Sequence, residues 1–187
     1  MKLLSQTSAL NHKQIPIFAL VIMGLKDRLV NKRLNTLAQS IRRQRKFVNL
    51  DTAQTAGILW NSKDEAAFEQ LKRVLNENNI QWRDLCLVES KKSDSDKHIA
   101  KSDFSFLGQP RKTAILDFTR ETFDLFIDIS LSNRPAAKYI RATSAATMKV
   151  GWSDQKPDYF DLSMNVSQQP NAVYLVEQIT RYLGEIK

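Results

Sequence analysis

Phe123–Gly151, FDLFIDISLSNRPAAKYIRATSAATMKVG, constrains the fold more than any other part of the chain. Phe123, Leu125, Phe126, Ile127 and Ile129 form an almost unbroken apolar run. A half-exposed strand alternates apolar with polar residues, whereas a strand covered on both faces reads as a continuous run. A helix is predicted to start around Asn133, with Pro135 in its first turn, where the N–H that proline lacks would go unpaired anyway. Ala136, Ala137, Ile140, Ala142, Ala145 and Ala146 keep that helix slim enough to approach a sheet closely. Met148–Trp152 reads as a second buried strand, and Gly151 permits a sharp exit from it. Strand, helix and strand in this order form the unit of layered α/β domains.

The same alternation runs from Asn49 to the end. Thr55–Trp60 reads as the first core strand. Ser62 and Glu65 have the spacing of a capping box for the helix that carries Ala67, Phe68, Leu71, Val74 and Leu75. Asp84–Val88 is the next strand. Glu89–Ser102 is polar and reads as a surface loop, and Phe104 and Phe106 alternate as in a short edge strand. Thr113–Thr122 suits a helix, Asp161–Val166 an extended segment, and Asn171–Ile186 a closing helix. Strands separated by helix-length segments predict a mostly parallel sheet with helices on both faces, a three-layer Rossmann-like α/β fold.

Charge divides the chain unevenly. Residues 1–48 carry 10 Lys and Arg against 1 acidic residue, and residues 49–187 carry 18 against 19. The net charge of +8 therefore belongs to the N-terminal quarter, and electrostatic arguments are confined to it. Ile15–Leu25 is an apolar run of 11 residues, too short to cross a bilayer as a helix. Residues 25–48 read as an amphipathic helix. Val30, Leu34, Leu37 and Ile41 fall within an arc of roughly 60°, and Arg28, Lys32, Arg42, Arg43 and Lys46 lie on the opposite side. Such a face suits a polyanion, either RNA and the ribosome or an anionic membrane surface. The expected organisation is an extension of unassigned role over 1–24, a basic helix over 25–48, and a single α/β domain over 49–187.

Several chemistries are poorly supplied. The one cysteine, Cys86, lies within an apolar stretch and reads as a buried structural thiol. Its solitude suits a reducing, cytoplasmic compartment. The two histidines, His12 and His98, lie outside the predicted core, and no catalytic triad or H-E-x-x-H motif is present. His98 with Asp94 and Asp96 lacks a recognised metal-ligand spacing, so neither a metal nor a cofactor is expected.

In a parallel α/β sheet, ligands sit beyond the carboxyl ends of the strands. Two such ends carry polar turns, Asn61-Ser62-Lys63 and Ser130-Leu131-Ser132-Asn133-Arg134. Each precedes a helix, whose free N–H groups and dipole favour anions. The candidate ligand residues are Asn61, Ser62, Asp128, Ser130, Ser132, Asn133 and Arg134. Asp128 stands out because a carboxylate near the end of a buried strand needs either a ligand or a local partner, such as Arg134 or Lys149. Neither turn contains the glycines that let a backbone wrap around a pyrophosphate.

The segments FVNLDTAQTAGILW, FLGQP and FDLFIDIS with the downstream AAKYI and KVG resemble an uncharacterised bacterial family of small α/β proteins, over roughly Leu25–Leu183. That likeness implies a fold and no activity. FDLFIDIS…AAKYIRATSAATMKVGWS is also distantly similar to the acceptor-binding half of heptosyltransferase-like glycosyltransferases. In those enzymes a Gly-Asp turn follows the first strand, where this chain has Asn61-Ser62-Lys63, and a second Rossmann domain is needed. Two functions follow as expectations. The first is a non-catalytic binding or adaptor protein using the basic helix. The alternative is a binder of a phosphate or sugar ligand, or a glycosyltransferase-like enzyme, using the turn at Asp128–Arg134.

Overall fold

The computed structural model of the chain describes residues 17–90 and 95–186, with the backbone alone for residues 17–24, 26 and 27. In chain order the elements are α1 (Ile17–Ser40), β1 (Thr55–Asn61), α2 (Glu65–Glu77), β2 (Gln81–Leu87), β3 (His98–Ile99) and α3 (Thr113–Arg120). They continue with β4 (Leu125–Asp128), α4 (Pro135–Thr143), β5 (Met148–Gly151), β6 (Leu162–Ser163) and α5 (Ala172–Glu185). The six strands are parallel and lie in the order β3-β2-β1-β4-β5-β6. This is the three-layer α/β architecture that the alternation predicts.

Strand pleating sends neighbouring side chains to opposite layers. Leu125 and Ile127 of β4 join Ile58, Val150, and the α2 and α5 residues Leu71, Leu75, Leu175 and Ile179. Phe126 joins Leu59, Leu85, and the α3 and α4 residues Ile115, Phe118, Ala137 and Ile140. All four residues of β4 are buried, which is why the run does not alternate. Cys86 is buried in β2, and burial, with the Asp84 charge, pushes its thiol up to about 12. Gly151 plays a different part from the expected turn. It lies within β5, and a Cβ there would come within 2.6 Å of the Phe160 ring and 2.8 Å of the Asp128 carbonyl oxygen.

Several boundaries depart from the sequence reading. The polar stretch after β2 contains β3 and a single 3-10 turn, Lys101–Asp103, because Ile99 and Ala100 are buried against the sheet edge. Phe104 forms an isolated antiparallel bridge with Pro110 in place of an edge strand. Only Leu162 and Ser163 of the expected Asp161–Val166 segment pair with β5. Residues 1–16, which include Met1–Gln14, lie outside the described residues, as do Lys91, Lys92 and Asp94.

The basic helix is corrected most. It ends at Ser40, and residues 41–49 are not helical. Its apolar stripe does pack on the body, with Leu34 buried and α1 against α4. Arg42, Arg43 and Lys46 follow the helix and so do not continue the face of Arg28 and Lys32. Arg43 is drawn inward. It donates to the Ala146 carbonyl at 3.1 Å and to both Asp161 carboxylate oxygens at 2.6 Å. Burial alone would raise the Asp161 carboxyl, but Arg43 and the Lys149 backbone N–H more than offset it and hold the group below its ordinary value. The next residues are stitched to the last helix: Asn49 Nδ2 donates to the Ile186 carbonyl at 2.7 Å, and the Leu50 N–H to the Leu183 carbonyl at 3.1 Å. No described helix is long and apolar enough to cross a membrane.

Lys149 in β5 is buried, and its Nζ donates to the Arg141 carbonyl at 2.7 Å. Burial, joined by repulsion from Arg43 and Arg45 and opposed by Asp161, lowers its pKa from 10.5 to about 7. Between these values the unfolded chain holds a proton that the folded one has released, so stability rises with pH across that window. Below about pH 7 the folded chain carries the buried charge, and the full penalty applies. Lys149→Met removes this dependence. Its stability gain over the parent chain is therefore largest below pH 7 and shrinks from pH 7 to 10, as measured by urea unfolding of both proteins across that range.

Candidate ligand-binding cleft

From β1 the chain winds one way through β2 and β3, and from β4 the other way through β5 and β6. The helices after β1 and β4 therefore leave on opposite faces and open a crevice at the carboxyl ends of these two neighbouring strands. A cleft of about 530 Å³ occupies this position. Its floor comes from the turn after β1 (Asn61, Lys63, Asp64) and the turn after β4 (Ser130 to Arg134). Trp152, beyond β5, and Pro170 to Ala172, at the start of α5, complete the wall. Its volume falls in the range of small-molecule sites.

Three helices point their N-termini at this edge, and they are finished differently. Asn171 caps α5 in full, its Oδ1 accepting the N–H groups of Val173 at 2.8 Å and Tyr174 at 3.1 Å. Helix α2 starts at Glu65, so Asp64 and not Ser62 is its N-cap, and the expected capping box is absent. The Asp64 side chain makes no capping bond. Helix α4 begins behind Arg134, which caps nothing either. The first-turn N–H groups of α2 and α4 thus lack a side-chain acceptor, and such ends attract anions.

Asn61 ends β1 and is 4 % exposed. Its Oδ1 accepts the Lys63 N–H at 3.4 Å. Its Nδ2 has no hydrogen-bond partner among the described residues and lines the cleft. Ser132 is also buried, and its Oγ accepts the Arg134 N–H at 3.3 Å while its own hydrogen has no acceptor among the described residues. Burial raises the Asp64 carboxyl above its ordinary value, against the field of the neighbouring Lys63 ammonium.

The turn after β4 is held from below. Asp128 is 1 % exposed, faces the α4 layer, and does not line the cleft. Its Oδ1 accepts the Ser130 N–H at 2.8 Å and the Ser130 hydroxyl at 2.6 Å. Its Oδ2 accepts from Arg141 Nε, and Arg141 Nη2 donates to the Ser132 carbonyl. The partner of Asp128 is therefore Arg141, and neither Arg134 nor Lys149. This network fixes Leu131 at φ 49°, a left-handed conformation reached here without glycine. Leu131 thereby tips toward the cleft between two anchored serines.

Of the candidate residues, Asn61, Ser130, Ser132, Asn133 and Arg134 are brought together, while Asp128 and Ser62 are not. Ser62 is exposed on the far side of its turn, its N–H bound to the Leu87 carbonyl at 3.0 Å. Three of the five are occupied, Ser130 by the Asp128 carboxylate. Asn133 bonds Asp154 at 2.6 Å and Ser153 at 3.1 Å, and Arg134 is turned to the Val88 carbonyl at 3.0 Å and to Glu89 at 3.4 Å. The residues the sequence reading missed are Asp64, Trp152, Asn171 and Arg141. Arg141 carried a signal, since it lies four residues after Ala137 and so on the buried face of α4.

A family model described as a family of unknown function, DUF6913, matches residues 26–186. The chain belongs to this family. No match was found among curated proteins or among solved structures. The family match takes in α1 from Lys26 onward, the whole sheet and every residue of the cleft.

Removing one member of a buried ion pair leaves the other uncompensated and destabilises by about 3–5 kcal/mol. Asp128→Ala and Arg141→Leu are each expected to lose that much in denaturant unfolding. The double variant loses less than the sum, because neither charge is then stranded, and a double-mutant cycle reads the difference.

Proposed function

We propose that this chain binds a small polar molecule carrying a phosphate or similar anionic group in the cleft between β1 and β4. The observation that supports the reading is the Asn61 amide on the cleft wall, its Oδ1 bound to the Lys63 N–H and its Nδ2 bonded to no described residue and open to solvent. The uncapped starts of α2 and α4 and the exposed Lys63 ammonium supply positive potential beside it. The absence of glycine from both turns argues for one phosphate at a helix end and against a wrapped pyrophosphate. Ser130, the cleft hydroxyl that meets a carboxylate, is buried and tied beneath the turn to Asp128, so the reading is one of binding and not of a named reaction.

A thermal-shift screen of nucleotides and sugar phosphates tests this. Hits are expected to raise Tm in proportion to ligand concentration. Asn61→Ala and Ser132→Ala keep the fold but weaken binding by about tenfold or more, as expected of lost hydrogen bonds to a charged group. No shift with any compound at millimolar concentration would sink the proposal.

A second reading keeps the expectation of a polyanion partner, RNA or an anionic membrane, through residues 25–48. Its support is now that four of the five expected cations are exposed, Arg28 and Lys32 on α1 and Arg42 and Lys46 after it, with Arg43 committed to Asp161. Contacts to about three phosphates of a single strand predict a slope of log K against log salt near −2. Reversing Arg42 and Lys46 to Glu flattens it, and a slope unchanged by that reversal removes this reading.

A further inference from the structure

The carboxylate of Asp64 is out of place in a cleft built for an anion. It lines the same wall as the free Asn61 amide, one turn further along, with the Asp64 N–H donating to the Asn61 carbonyl at 2.8 Å. It does not cap α2, and no described side chain pairs with it. A ligand phosphate alone would make the carboxylate's position worse. Three kinds of ligand group could relieve it: a metal ion, an ammonium or a hydroxyl.

The neighbouring amide separates them. The Asn61 Oδ1 accepts the Lys63 N–H, which leaves the solvent-open Nδ2 donors to meet a ligand, and a donor is matched by an acceptor. Neither an ammonium nor a metal ion has a lone pair to offer it. Both would also meet the Lys63 ammonium, which lies close enough to act on Asp64. A hydroxyl accepts from Asn61 with its oxygen and donates its hydrogen to Asp64, satisfying both at once. Two adjacent hydroxyls would serve both carboxylate oxygens.

We propose that Asp64 and Asn61 together read vicinal hydroxyl groups, so that the ligand of the cleft is a phosphorylated polyol, of the sugar phosphate or nucleoside monophosphate class. This rests on the reading of the cleft as an anion site and adds the group that discriminates among anions. The phosphate lies toward the open helix starts and the hydroxyls toward the end of β1. Trp152, partly buried on the wall beyond β5, offers an apolar surface to the rest of the ligand.

The test is calorimetric titration of the full chain and of Asp64→Ala with three probes: ribose 5-phosphate, propyl phosphate and phosphoethanolamine, each with and without Mg²⁺. The Asp64 side chain caps nothing, so alanine there leaves α2 intact, which circular dichroism and Tm check. The parent chain is expected to bind ribose 5-phosphate about tenfold or more tighter than propyl phosphate, independently of Mg²⁺. Asp64→Ala erases that preference while binding propyl phosphate as tightly as the parent or tighter, because a repulsive charge is gone. Equal affinity of the parent for ribose 5-phosphate and propyl phosphate overturns the hydroxyl inference and leaves the anion site standing. Preference for phosphoethanolamine, or binding that needs Mg²⁺, overturns it in favour of a cationic group on Asp64. Failure of all three probes to bind overturns the anion site and this inference with it.

Discussion

The buried pair of Asp128 and Arg141 is the interaction on which the functional edge of this domain depends. Two full charges are withdrawn from water, at 1 % and 2 % exposure, and that is tolerable only where their remaining hydrogen-bonding capacity is met. It is met by the turn itself: Ser130 gives Asp128 two hydrogen bonds, and the Ser132 carbonyl takes the far end of Arg141. The pair also ties the end of β4 to the last turn of α4, and the Phe160 ring centre lies 5.4 Å from the guanidinium carbon. Gly151 leaves room for that ring on the neighbouring strand. Strand, helix and turn are thus set by one cluster, and the cleft wall inherits its geometry.

Such a buried network offers little net stability compared with apolar packing, but it specifies one arrangement. Here the arrangement includes Leu131 at φ 49°, a conformation that an alanine-like residue adopts reluctantly and that no glycine eases. The turn is therefore held in shape before any ligand arrives, and binding does not have to fund its ordering. The β1 side is built the opposite way. Its polar groups, Asn61 and Asp64, are left with unused capacity, so one wall is closed upon itself and the other is open to a guest.

The layered fold was legible because burial on both faces leaves an unmistakable trace, the unbroken run of β4, and because helix starts carry proline and asparagine at Pro135 and Asn171. Short edge strands were less legible. β3 pairs through His98 and Ile99 alone, and two residues cannot establish a period. The basic helix was misjudged at its end because periodicity in Val30, Leu34, Leu37 and Ile41 continues past Ser40, while Arg43 is claimed by Asp161 from 118 positions away. Nothing local announces such a contact. In the site, both turns were found from their place after buried strands. The division of labour within them was not, because whether an aspartate faces a helix or a cleft depends on pleating at the last residue of a strand. Asp128 stands out in the sequence and Asp64 does not, yet Asp64 lines the cleft and Asp128 is buried beneath it against Arg141.

The stitch between Asn49, Leu50 and the end of α5 bears on what the domain would lose with that helix. Helix α5 supplies Leu175, Val176, Ile179 and Leu183 to the layer beneath β1, β4 and β5, and it follows every other described element in the chain. Without it, the α2 face of the sheet lacks half its cover, and the segment that leads into β1 lacks the carbonyls of Leu183 and Ile186. Ile58, Ile127 and Val150 lose the apolar cover that α5 gives them. Loss of α5 therefore uncovers one apolar sheet face and unties the entry to β1 in the same step.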